Sequence, residues 1–161
     1  IAVIYANSLY KRVFVHAGYN VLNSIYQHCS DIEKSKIYPG IPEYVDPKGR
    51  GLYHYLTGSA SWFILTVVTE VFGVKADFGK LLLEPKLTQS EFNEDHIASI
   101  KTLINNNLTT IHYINKNNLD FGTYKIVKIY DEDTEYNFDR TKYGALIEND
   151  KLGNELYVIL K

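Results

Sequence analysis

The stretch GSASWFILTVVTEVFGVKADFGKLLLE, residues 58–84, holds two kinds of periodicity on either side of one glycine. Before Gly73, the apolar residues Trp62, Phe63, Ile64, Leu65, Val67, Val68, Val71 and Phe72 leave only Thr66, Thr69 and Glu70 as a narrow polar stripe. This predicts a helix over Gly58 to Phe72 that is buried on most sides, with Ser59 as N-cap and Gly73 just past its C-terminus. Its β-branched residues would also suit a strand. After Gly73 the chain changes to short β-type runs separated by Asn, Asp and Gly.

Downstream, strands are predicted at Lys80 to Glu84, Ile97 to Ile104, Thr109 to Ile114, Tyr124 to Tyr130, Gly144 to Ile147 and Glu155 to Leu160. The alternation of Tyr124, Ile126, Lys128 and Tyr130 against Lys125, Val127 and Ile129 is the clearest, and the spacing suits an antiparallel sandwich. Turn chemistry at Asn105 to Asn107, Asn117-Asn118, Asn149-Asp150 and Gly153-Asn154 supplies boundaries. Upstream, Val21, Ile25 and Cys29 recur at helical spacing, predicting a helix from about Ala17 to His28. Between Ser30 and Thr57 stand Pro39, Pro42 and Pro47 with Gly40, Gly49 and Gly51, a density of breakers expected to leave a long ordered loop without helix or central strand. The fold class expected is therefore α+β: a helical segment over 1–75, then an antiparallel β domain over 76–161.

The 161 residues carry 17 basic and 19 acidic side chains, a formal net charge of −2, which gives no electrostatic footprint for nucleic acid or an anionic membrane. The apolar run around Phe63 to Leu65 is too short to span a bilayer, and no leader pattern opens the chain. With a single cysteine, Cys29, nothing calls for an oxidising compartment, and a cytoplasmic location is expected. The chain opens on Ile1 and has no methionine, so it reads as a processed chain or a piece of a longer one.

Reactive residues concentrate in the loop and the helix after it. Thr57-Gly58-Ser59, at the start of an apolar helix, offers backbone amides, hydroxyls and the positive end of the helix dipole, an arrangement suited to phosphate. The same residues would equally make an ordinary N-cap without ligand. A metal centre using His28, Cys29 and His54 lacks the paired short spacing of zinc sites, so no metal is expected.

The runs RVFVHAGYNVL (residues 12–22), LYHYLTGSASW (52–62), VFGV (71–74) and GKLLLEPKL (79–87), with GIPEY and GRG between them, resemble the C-terminal part of the inverting disaccharide phosphorylases of glycoside hydrolase family 94, the cellobiose and chitobiose phosphorylase group. The resemblance implies that residues 1–75 are the last helices and a loop of an (α/α)6 catalytic barrel, and residues 76–161 a C-terminal β-sandwich or jelly-roll piece. It implies phosphorolysis of a β-linked disaccharide, with inorganic phosphate as co-substrate and no cofactor. By the same resemblance, His16, Thr57 and Gly58 would bind phosphate, while Tyr53, His54 and Tyr55 would line the sugar site or pack the loop. A homodimer is a further family expectation.

Glu43 lies where some members carry a glutamine near phosphate. A carboxylate there would repel the anion, so Glu43 is expected to bond amides of its own loop or a sugar hydroxyl. The family's general acid is an aspartate upstream of all these motifs, and nothing in this chain matches it. On this reading the chain holds part of a phosphate site, has no catalytic residue of its own and depends on the rest of the enzyme. A non-catalytic carbohydrate-binding or structural module derived from the family is the alternative.

Overall fold

The computed structural model describes residues 1–37, 40–53, 58–148 and 152–161, and these form two compact units, Ile1–Val67 and Val68–Lys161. Both helices and sheets are present, so the chain is α+β.

The first unit is helical. Helix α1 (Ala2–Lys11) buries Val3, Ala6, Asn7 and Tyr10, one face at helical spacing. It ends in a Schellman turn: Phe14 N–H donates to the Leu9 carbonyl, Val13 N–H donates to the Tyr10 carbonyl, and Val13 takes the left-handed conformation at φ 67°. Helix α2 (Val15–Ser30) packs back on α1 at Gly18, where a Cβ would stand 2.6 Å from Tyr10 Cδ2. It starts before and ends after the segment predicted from sequence.

The Pro-rich segment is more structured than its breakers suggest. Asp31 accepts the Glu33 and Lys34 amides and caps the single turn α3 (Ile32–Ser35), which closes before Pro39. A two-residue ladder joins β1 (Tyr44–Val45) to β2 (Gly51–Leu52). Pro42 and Pro47 flank β1, so neither proline removes an amide from the ladder.

Helix α4 (Gly58–Thr66) continues into a π-turn over Val67–Val71 rather than as one α-helix. It packs on α1, where Asn7 Nδ2 donates to Thr66 Oγ1 at 3.1 Å, and Thr66 in turn donates to the Trp62 carbonyl. The expectation of burial on most sides fails. Thr66 is its one buried residue, while Ile64 and Leu65 are 65% and 46% exposed, because α1 covers only one side of a helix that is apolar nearly all round. Gly73 behaves as expected, at φ +66°, with the Glu84 amide donating to its carbonyl.

The second unit holds two four-stranded sheets. One has the order β3-β4-β9-β8, built from Val74–Asp77, Lys80–Leu83, Ala145–Glu148 and Asp139–Arg140. The other has the order β5-β6-β10-β7, built from Ile97–Ile104, Asn107–Ile114, Glu155–Leu160 and Ile126–Tyr130. Asn105 and Asn106, both left-handed, form the tight β5–β6 turn. The sheets are not wholly antiparallel as expected: β10 runs parallel to β6, Glu155 opposite Thr110 through Ile159 opposite Ile114, and antiparallel to β7.

Alternation sends Leu81, Leu83, Ala145 and Ile147 inward from one sheet and Ile111, Tyr113, Leu156 and Val158 from the other, all buried. Polar groups within this unit are satisfied in place. Lys86 Nζ meets Glu70 Oε2 at 2.7 Å, Tyr113 donates to the Phe72 carbonyl, and Tyr124 Oη receives the Leu87 amide while facing the Pro85 and Leu87 carbonyls. Burial pushes both phenols above their ordinary range.

Candidate functional site in the helical unit

The β1–β2 hairpin is shaped by its own turn. Asp46 Oδ1 accepts the Lys48 and Arg50 amides, and Gly49, at φ +89°, donates to the Asp46 carbonyl. The Gly49 carbonyl points at α2 and accepts a hydrogen bond from His28 Nε2 at 2.7 Å, which ties the hairpin to the helix. Gly51 lies against Ile37 and Pro42, each 3.0 Å from where its Cβ would stand.

This anchoring sets the position of Glu43, just before β1. Its amide donates to the Tyr53 carbonyl, and its carboxylate Oε2 accepts the Ser59 amide at 3.1 Å. Gly58 opens α4 beside the same carboxylate: a Cβ on it would lie 3.7 Å from Oε2 and 3.9 Å from Oε1. Glu43 thus serves the first turn of α4 as a cap brought from sixteen residues upstream. Two expectations are corrected here. The helix starts at Gly58 as expected, but Ser59 lies inside it as an amide donor rather than as N-cap, and among the described residues the Glu43 carboxylate bonds an amide of the helix rather than one of its own loop.

Beside Glu43 a cleft of about 530 Å³ runs between α2 and the hairpin, with Ile25, His28, Cys29, Pro42, Glu43 and Ser59 in its walls. Its lining is mainly apolar, with Ser24, His28, Glu43 and Ser59 among its polar side chains. Burial pushes the Cys29 thiol up, so it behaves as a small apolar group rather than a reactive thiolate.

The residues singled out from sequence fall as follows. Gly58 is the exposed first residue of α4. His16 is exposed in the first turn of α2 and is not among the cleft's lining residues. Tyr53 is 71% exposed, in the left-handed conformation at φ 59°, and packs edge-on against Tyr44 with ring centres 5.6 Å apart. Thr57, His54 and Tyr55 lie outside the described residues. Among the described residues no three His, Cys, Asp or Glu side chains converge on a metal position. Nor is any helix long and apolar enough to cross a membrane.

The sequence reading had no place for Tyr44, which with Tyr53 forms an exposed aromatic pair on the hairpin. The site thus combines one α4 amide held on a carboxylate oxygen with an apolar and aromatic surface beside it. No protein-family model matches the chain, and no curated protein matches it either.

Proposed function

We propose that this chain is the C-terminal part of an inverting β-glycoside phosphorylase of the cellobiose phosphorylase kind, converting a β-linked disaccharide and phosphate to a sugar 1-phosphate and a free sugar. The observation that carries the proposal is the oxyanion already held at the start of α4, where the Ser59 amide binds a carboxylate oxygen beside Gly58. Those residues belong to the LTGSASW run that bears the family resemblance. A helix-start amide that already holds a carboxylate oxygen has the charge preference phosphate binding requires.

A second feature agrees with a place in a larger helical assembly. Tyr5, Phe14, Tyr26, Ile64 and Leu65 are all exposed on α1, α4 and α2 or the turn before it, apolar side chains for neighbouring helices to bury. In the proposal, neighbouring barrel helices cover it, and the β unit is the C-terminal sandwich.

Phosphate is an anionic nucleophile and needs no base to activate it, so the reaction asks for one general acid and for groups that hold phosphate in line with the anomeric carbon. Here Gly58 and Thr57 hold phosphate, with His16, and the acid comes from outside the chain. Glu43 must share or leave the α4 amides when phosphate arrives.

The test is expression of the complete reading frame that contains this sequence, incubation with phosphate and a panel of β-linked disaccharides, and assay of sugar 1-phosphate. Product formation whose phosphate requirement rises in Thr57→Val supports the proposal. Absence of product across the panel overturns it. The exposed Tyr44–Tyr53 pair favours a second reading, a non-catalytic carbohydrate-binding module; sugar binding without phosphorolysis, lost in Tyr53→Ala, would identify it.

A further inference from the structure

A separate grouping of reactive side chains stands on the outward face of the β5-β6-β10-β7 sheet, and it does not depend on the phosphorylase reading. In register across the four strands stand Ser99, His112, Tyr157 and Tyr130. Ser99 Oγ lies 2.7 Å from His112 Nδ1, and His112 Nε2 lies 2.6 Å from Glu155 Oε2. Thr110 donates to the other Glu155 oxygen at 3.1 Å, and the His112 ring is stacked on Tyr157 at 5.1 Å and 17°. Tyr157 is in turn stacked on Tyr130 at 5.2 Å.

From this arrangement the geometry points to Ser99 as an activated nucleophile, with His112 as its base and Glu155 as the group that orients the base, in a site that hydrolyses short-chain acyl esters. The hydrogen bond from His112 holds the Glu155 carboxyl below its ordinary range, so it is ionised at neutral pH. An ionised acceptor on Nε2 keeps the proton on that nitrogen. Nδ1 then carries the lone pair and accepts the Ser99 hydroxyl proton. The two ring nitrogens exchange the places they have in the familiar serine hydrolase triad, but the roles are the same.

Ser99 also has a donor for the developing charge. Asn115 N–H donates to the His96 carbonyl, so even-numbered positions of β5 bond to β6 and odd-numbered ones turn outward. Ile97 follows that rule, its amide leaving the ladder for Asn93 Oδ1. Because β5 is the edge strand, the Ser99 amide faces the open edge beside its own Oγ, and Lys101 stands on the same face.

Ser99 Oγ attacks the ester carbonyl while its proton passes to Nδ1. The C–O bond to the alcohol then breaks, and the alcohol leaves with that proton. Water adds to the acyl-serine, gives a proton to Nδ1, and the acid departs as Ser99 takes the proton back. An open, hydrated face weakens each electrostatic contribution, which matches the site to esters with acidic alcohols rather than to amides.

The experiment treats the whole chain with a fluorophosphonate and maps the adduct by mass spectrometry, alongside turnover of p-nitrophenyl acetate. One adduct on Ser99 is expected, absent in Ser99→Ala and formed on the order of 100-fold more slowly in His112→Gln. Glu155→Gln, which keeps the shape and removes the charge, slows labelling by roughly tenfold and serves if His112→Gln does not fold. No adduct, adducts spread over other serines, or labelling as fast in the folded variants as in the parent overturns the assignment.

Discussion

Replacing Lys86 by Met tests what holds the second unit together beneath the π-turn. Lys86 Nζ and Glu70 Oε2 are 2.7 Å apart, and each side chain is only 5% exposed. Met preserves most of the volume and removes the charge, so among the described residues the ion pair left to the Glu70 carboxylate is with Lys75, 3.8 Å from its other oxygen and 27% exposed. Breaking a buried pair by deleting one member costs about 3–5 kcal/mol, whereas replacing both by apolar groups is often neutral. The remaining Lys75 sets the expected loss for Lys86→Met at the lower end, about 3 kcal/mol. For a unit of roughly a hundred residues that lowers Tm by about 12–24 °C. Urea unfolding followed by circular dichroism measures it, with Glu70→Leu/Lys86→Met as the companion variant. The double variant should lie within about 1 kcal/mol of the parent. A loss below about 1 kcal/mol in Lys86→Met, or a double variant as unstable as the single, would refute the reasoning.

Three further outcomes follow from the same geometry. Gly18→Ala would gain about 1 kcal/mol of helix propensity at an open position, but here its Cβ meets the Tyr10 ring at 2.6 Å, so overpacking wins and stability falls by about 1–2 kcal/mol in thermal melts. Tyr124→Phe strips a partner from the Leu87 amide and from two carbonyls and should cost about 1–3 kcal/mol; in an absorbance titration of the parent, Tyr113 and Tyr124 ionise only as the chain unfolds. In the complete enzyme of the proposed function, Glu43→Gln removes a charge from the α4 amides and lowers the phosphate KM by roughly fivefold, read from initial rates against phosphate.

Where neighbours in sequence decide structure, the residues were sufficient guides. Ile97–Ile104 and Glu155–Leu160 are rich in β-branched and apolar residues between turn residues and form strands with the predicted ends. Gly73 marks the helix-to-strand change because the close Glu84 carbonyl admits no Cβ. Direction was not legible, since alternation reads the same in parallel and antiparallel ladders; hence β10 beside β6 was unexpected. The ladders at Tyr44–Val45 and Asp139–Arg140 are too short to show a period. At the candidate site, Gly58 at a helix start was readable. The use of Glu43 was not, because its partner lies sixteen residues away and is a backbone amide, which no side-chain motif records.

The parallel placement of β10 also implies an expected order of assembly. The β5–β6 hairpin closes over a two-residue turn and can form on its own, bringing Ser99 to His112 early. The contact of Thr110 with Glu155 spans 45 positions, and among the described strands β7 pairs with β10. Closing that long loop is the slow, entropically costly step, so the sheet stays half-built until β10 arrives between its two neighbours. Glu155 comes with that strand, so the orientation of His112 is a readout of completed folding: a chain stalled with the hairpin alone would hold its serine and histidine together and still lack the carboxylate that sets the tautomer.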